Sequence, residues 1–124
     1  FKTAGYGVTV KAQQLGNAAE DSALDYLKAS GLTLVEKNYL CEMGEIDLIM
    51  KDSNALVFVE VRLRNNSRYG TGAETVTQNK IRKIINTAQL YLTRHPIKGD
   101  LDCRFDVISM DGKIDWIQNA FTLD

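Results

Sequence analysis

One histidine, one proline, one tryptophan and two cysteines are all that the 124 residues supply of those types, and each scarcity removes a class of protein. Cys41 and Cys103 stand alone without CxxC spacing, and His95 is the only imidazole. This argues against structural zinc and fits reduced thiols in a cytoplasm. No apolar run approaches the roughly 20 residues that span a bilayer, so no membrane association is expected. The N-terminus has no apolar stretch followed by a small-residue cleavage site, so no signal peptide is expected either. Repeats, low-complexity tracts and domain linkers are missing, and 44% hydrophobic residues are enough for one core.

An excess of positive charge is also lacking, because the net charge is −1. That balance hides an asymmetry. Residues 1–61 carry a net −4, residues 62–104 a net +6 and residues 105–124 a net −3. A positive segment directly after an acidic one fits a polyanion held against a carboxylate cluster, and it equally fits ordinary surface lysines and arginines on a helix.

What is present centres on GEIDLIMKDSNALVFVEVRLR, from Gly44 to Arg64. Folded as a hairpin about Ser53-Asn54, it pairs Ile46 with Val61, Leu48 with Val59 and Met50 with Val57 on one apolar face. The other face pairs Glu45 with Arg62, Asp47 with Glu60 and Ile49 with Phe58. A slip of one residue would push Glu60 and Arg62 among the aliphatics, so the pattern itself selects the register. Asp47 and Glu60 then face each other with Cβ atoms about 4.5–5.5 Å apart, where like charges repel. Arg62, a shared proton or a bound cation would offset that repulsion, and two close carboxylates suit a hard divalent ion. A plainly solvated face with the two acids splayed apart satisfies the same pattern.

Around this hairpin the chain reads in order. Residues 1–14 contain glycines and no clear period, and are expected as an N-terminal arm or weak strand before a single domain over 15–124. Leu15 to Ser30 is predicted as a helix with Ala19, Ala23, Tyr26, Leu27 and Ser30 on one stripe and Gly31 as its stop. Asn17 and Glu20 have capping-box spacing, which offers Glu20 a local structural role. Leu32 to Tyr39 reads as the first strand, with Leu32 and Leu34 alternating against polar neighbours. The Gly-rich loop after Arg64 carries Arg68, able to contact phosphate, and Tyr69, able to stack on a base; its composition fits a mobile loop as well. A second helix is predicted from Val76 to Arg94, ending before Pro96, with Ile81, Ile84, Ile85, Ala88, Tyr91 and Leu92 buried. Lys80 and Lys83 lie with Thr87 on an adjoining face, where the two ammonium groups can follow one phosphate track. Cys103 to Met110 and Lys113 to Ile117 are strands joined by Asp111-Gly112, with Asn119-Ala120-Phe121 closing the core. The order is α-β-β-β-α-β-β, an α/β fold with a small mixed sheet and flanking helices.

GEIDLI, then VFVEVR, a lysine-bearing helix, CRFDVI and a terminal NAF, from Gly16 to Phe121, resemble the bacterial YraN family. That family is similar to the restriction-endonuclease-like nucleases, particularly the Holliday-junction resolvase branch. The nuclease pattern is a helix Glu, a strand Asp and Glu-x-Lys on the next strand. The resemblance implies a restriction-endonuclease-like fold with Glu20, Asp47 and Glu60 in the acidic positions and Arg62 in the place of the lysine. It implies Mg²⁺ or Mn²⁺ on Asp47, Glu60 and the Val61 carbonyl, with DNA favoured over RNA as partner and a homodimer as assembly. Arginine stays protonated and cannot act as a general base, so slow or impaired cleavage is expected. The alternative is a binding protein that grips nucleic acid through Arg62, Arg64, Arg68, Lys80 and Lys83 without cutting. A domain that binds other proteins and has left nucleic acid behind is a third class, favoured by the acidic overall charge.

Overall fold

The computed structural model describes residues 4–63, 76–96 and 101–122, with side chains in the first helix described from Asn17 onward. Seven elements follow in the expected order: α1 (Ala4–Ala29), β1 (Thr33–Cys41), β2 (Gly44–Asp52), β3 (Ala55–Leu63), α2 (Gln78–Arg94), β4 (Asp102–Met110) and β5 (Ile114–Phe121). The strands form one sheet in the order β1-β2-β3-β4-β5. All neighbours are antiparallel except β3 and β4, which run parallel and therefore need the crossover that α2 provides.

That crossover settles how the sheet is covered. Ile49, Phe58, Phe105 and Val107 pack with Ile84, Ala88 and Tyr91 of α2. Leu48, Met50, Val57, Val59 and Ile108 pack with Ala23 and Leu27 of α1. The central hairpin is thus buried on both faces rather than presenting one wet face. A hairpin read in isolation cannot reveal this, because a helix supplied by distant sequence covers the second side. Ring stacking of Phe58 on Phe105 (centroids 5.4 Å) and the edge contact of Tyr39 with Tyr91 (5.0 Å) fill the α2 side. Among the described residues no helix is long and apolar enough to cross a membrane.

Several boundaries differ from those expected. The first helix begins at Ala4, so the segment read as an arm or weak strand is helical from that residue on. Once Ala23 and Leu27 dock the C-terminal half, each further turn only propagates an existing helix, which costs far less than nucleating one. Asn17 therefore lies inside α1 and caps nothing, which removes the local role offered to Glu20. The helix ends as predicted: Gly31 adopts φ +101°, and the Leu32 N–H reaches the Leu27 carbonyl at 3.0 Å. Tyr26 and Ser30, expected on the buried stripe, are exposed.

In β1 a register shift between Leu34 and Glu36 leaves Leu34 exposed while Leu32 stays buried, and the strand continues to Cys41. In α2 Thr87 is fully buried rather than on a surface face, because Gly44 of β2 lies against it. A Cβ at Gly44 would come within 3.0 Å of Thr87 Oγ1, and Gly44 sits at φ +145°, so both space and backbone favour glycine there.

The β4–β5 connection spans Asp111, Gly112 and Lys113, one residue longer than the two-residue turn expected, and β5 runs on to Phe121. A bulge interrupts their ladder between Phe105 and Val107, and Asp106 fills it. This fully buried carboxylate accepts from Trp116 Nε1 (2.9 Å), the Asn119 N–H (2.9 Å) and Arg104 Nε (3.1 Å). Arg104 also pairs with Asp52 at 3.0 Å. Replacing Asp106 by Ala would leave these donors without their acceptor. We expect Asp106→Ala to cost about 3–5 kcal/mol in urea unfolding. A loss below about 1 kcal/mol would show the network to be dispensable.

Candidate active site

The β2–β3 ladder follows the sequence register from Asp52↔Ala55 to Leu48↔Val59 and then stops. The next pair would be Asp47 and Glu60. Instead of a backbone carbonyl, the Asp47 carboxylate takes the Val61 N–H, at 2.8 Å to Oδ2. On the other side of β2, the β1 ladder pairs Lys37 with Leu48 and Tyr39 with Ile46. Between them Asn38, at the position facing Asp47, adopts φ +54°. A left-handed residue within a strand turns the chain over. Accordingly Lys37 pairs with Asp21 of α1, whereas Tyr39 packs beneath α2. Ile46 likewise joins the α2 cluster while Leu48 joins the α1 cluster. Ile46 thus does not share the face of Leu48 and Met50, as the uninterrupted alternation had it.

The site forms at this reversal. The Asp47 and Glu60 carboxyl groups lie close to each other here, near enough for each to shift the other's titration. Glu60 is only 5% exposed. Burial pushes its carboxyl up to about 8, with the neighbouring Asp47 charge adding to the shift. Burial raises Asp47 too, against the stabilising Val61 N–H, the Glu60 carboxyl beside it and the nearby cations. Two cations approach Glu60 Oε2 at ion-pair range: Lys80 Nζ from α2 at 3.8 Å and Arg62 Nη1 from β3 at 3.9 Å.

Glu20 reaches the same place from α1. Its carboxyl is raised by burial first and by the Asp47 charge second, and a hydrogen bond from Asn38 opposes the rise. Its Oε1 is buried and has no hydrogen-bond partner. Such an orphaned acceptor is costly unless something else occupies it.

Of Glu20, Asp47, Glu60 and Arg62, predicted as one constellation, Asp47, Glu60 and Arg62 lie together on β2 and β3, and Glu20 of α1 stands near Asp47. Lys80, predicted as a surface contact to nucleic acid, joins them. Val61 enters through its N–H. Lys83 is exposed on α2, and Arg64, Arg68 and Tyr69 lie outside the described residues. Asn38 was missed. The signal available was an asparagine in mid-strand, a residue type depleted from strands and tolerant of left-handed backbone.

A five-stranded mixed sheet with two helices, in the order α-β-β-β-α-β-β, is a mixed α/β fold consistent with a small nuclease-like fold. Comparison with known proteins narrows this to a family. Residues 19–110 match the uncharacterised protein family UPF0102, and the chain belongs to it. A UPF0102 protein of Legionella pneumophila is 49% identical over 112 residues, covering 88% of this chain and 95% of its own length. One from Saccharophagus degradans is 46% identical over 115 residues, covering 92% and 98%. One from Vibrio parahaemolyticus is 44% identical over 113 residues, covering 89% and 93%.

The raised carboxyls carry a pH signature. A group whose folded value lies above its unfolded one contributes stability that is full below the unfolded value and is lost as pH rises through the folded one. For Glu60 that window runs from 4.5 to about 8. Without divalent ions, the protein should lose stability across this window, at up to ~1.4 kcal/mol per pH unit from this group. Glu60→Gln should flatten the slope. Equal slopes for both proteins, measured by urea unfolding from acid to neutral pH, would mean that Glu60 is already ionised in the fold.

Proposed function

We propose that this protein is a divalent-metal-dependent nuclease that hydrolyses phosphodiester bonds in DNA, in branched or single-stranded form. The observation that carries this reading is the close carboxyl pair at the open end of the β2–β3 ladder, buried Glu60 beside half-buried Asp47, which is itself held by the Val61 N–H. Nothing in packing rewards two acids placed there. Removing both from water costs several kcal/mol per ionised group unless a cation compensates.

The donor set fits Mg²⁺ or Mn²⁺. Both acids offer oxygen, and a hard ion of this kind is commonly held by one or two carboxylates, with phosphate oxygens and water completing its shell. Among the described residues no three His, Cys, Asp or Glu side chains converge as a metal site. Asp47 and Glu60 would hold the ion, joined by the Val61 carbonyl, and the remainder of its shell falls to substrate and water. When bound, the ion supplies Lewis-acid polarisation of the phosphate and lowers the pKa of coordinated water.

The side chains divide the remaining work. Asp47 is fixed by the Val61 N–H on Oδ2, which leaves its other oxygen for the ion. Glu20 holds an unpartnered oxygen beside Asp47, suited to orient a water or a sugar hydroxyl. Arg62 brings permanent positive charge to within 3.9 Å of Glu60 Oε2 and cannot take a proton. Lys83, exposed on α2, adds positive charge for the rest of the strand.

Branched, nicked and single-stranded DNA incubated with Mg²⁺ or Mn²⁺ should be cut. Asp47→Asn and Glu60→Gln should each slow cleavage by at least ~100-fold, in the range expected for loss of one electrostatic element of an active site. DNA binding that persists with no cutting in any metal would overturn the enzymatic reading and leave a binding protein. Cutting that is equal in wild type and both variants would identify a contaminant.

A further inference from the structure

The first turn of α2 breaks a local rule. Thr77 caps the helix, its Oγ1 accepting from the Lys80 N–H at 3.2 Å, which is half of a capping box. The residue completing such a box is Glu or Gln, whose side chain reaches back to the cap N–H. This chain has Lys80 there, a side chain with no acceptor, and the first turn contains no acid at all. The helix start carries partial positive charge, so a lysine at this point works against the helix. Departures of this sort mark places where something other than local stability is selected.

The destination of the side chain indicates what that is. Lys80 Nζ lies 3.8 Å from Glu60 Oε2, beyond hydrogen-bond length, and the side chain is 42% exposed. Among the described residues no hydrogen bond holds the ammonium, so its donors remain available to an incoming anion. For both Asp47 and Glu60, Lys80 compensates negative charge more strongly than Arg62 does. The ammonium thus sits beside the paired acids on a stem flexible enough to turn from Glu60 to a substrate oxygen.

We infer that Lys80, rather than Arg62, is the side chain that contacts a non-bridging oxygen of the scissile phosphate, so that the cation missing from the Glu-x-Lys place on β3 is supplied by the first turn of α2. This rests on the nuclease reading above. Lys80 acts here as a fixed positive charge: it holds the phosphate over Asp47 and Glu60 and neutralises the charge that builds on that oxygen as water adds. Arg62, on the same strand as Glu60, then serves mainly to keep that carboxylate in place.

The test compares Lys80→Met, which keeps the stem and removes the charge, with Lys80→Arg and Arg62→Met, using a fluorescent single-stranded oligonucleotide. In Mn²⁺ at saturating DNA, Lys80→Met should lower the single-turnover rate by ~100-fold, with Lys80→Arg recovering part of it and Arg62→Met losing less. In Ca²⁺, without turnover, the slope of log affinity against log salt should fall by about one phosphate contact in Lys80→Met. Circular dichroism should show each variant folded at the assay temperature, so that lost cleavage is not lost structure. Cleavage by Lys80→Met within ~3-fold of wild type would overturn the inference and leave the nuclease reading intact. A wild type that does not cut would overturn that reading instead. The inference would then be decided by the Ca²⁺ arm, where an unchanged affinity and salt slope in Lys80→Met would sink it.

Discussion

A side-chain carboxylate taking a backbone amide away from a sheet ladder is the interaction on which the rest of this site depends. With Asp47 Oδ2 on the Val61 N–H, the β2–β3 pairing ends at Leu48↔Val59, and the strands beyond serve a different purpose. The exchange satisfies Val61 while releasing β2 from its partner. On the other side β1 stays paired with β2, but the left-handed backbone of Asn38 turns β1 over at the matching position. Below this point the hairpin is ordinary core, buried under both helices. Above it, acids can lie in a partly dry environment without sharing a face with aliphatic neighbours.

The electrostatics follow from that placement. Buried Glu60 beside half-buried Asp47 disfavours two anions, so both carboxyls are raised, and Lys80 and Arg62 stand at ion-pair distance from Glu60. Glu20 adds a third carboxyl with one oxygen left unpaired. Compare Asp106, the other buried acid among the described residues, which accepts from Arg104, Trp116 and the Asn119 N–H and holds the β4–β5 bulge closed. One acidic site is complete within the protein and the other is not. The incomplete one is the place to look for chemistry.

Much of the fold was legible because local signals agreed with the tertiary outcome. The β2–β3 register is the clearest case: Glu60 and Arg62 cannot share a face with Val57 and Val59, and the Leu48↔Val59 and Met50↔Val57 pairs follow. Gly31 and Pro96 marked helix ends for equally local reasons. The extent of α1 was not legible, because Gly5, Gly7 and Gly16 argue against a helix unless the docked turns around Ala23 and Leu27 propagate it. Nor was the burial of Thr87, which depends on the close approach of Gly44 from another element.

By itself the sequence determined the order of elements and the hairpin register from Leu48↔Val59 to Asp52↔Ala55, since alternation and helical spacing are properties of neighbouring residues. It also carried the family resemblance. Only the tertiary structure decided that Glu20 leaves its supposed cap for Asp47, that Ile46 turns away from Leu48, and that Lys80 belongs with the carboxylates. The reason is physical: a side chain's surroundings are set by which helix crosses which strand, and that crossing is fixed by burial summed over the whole core.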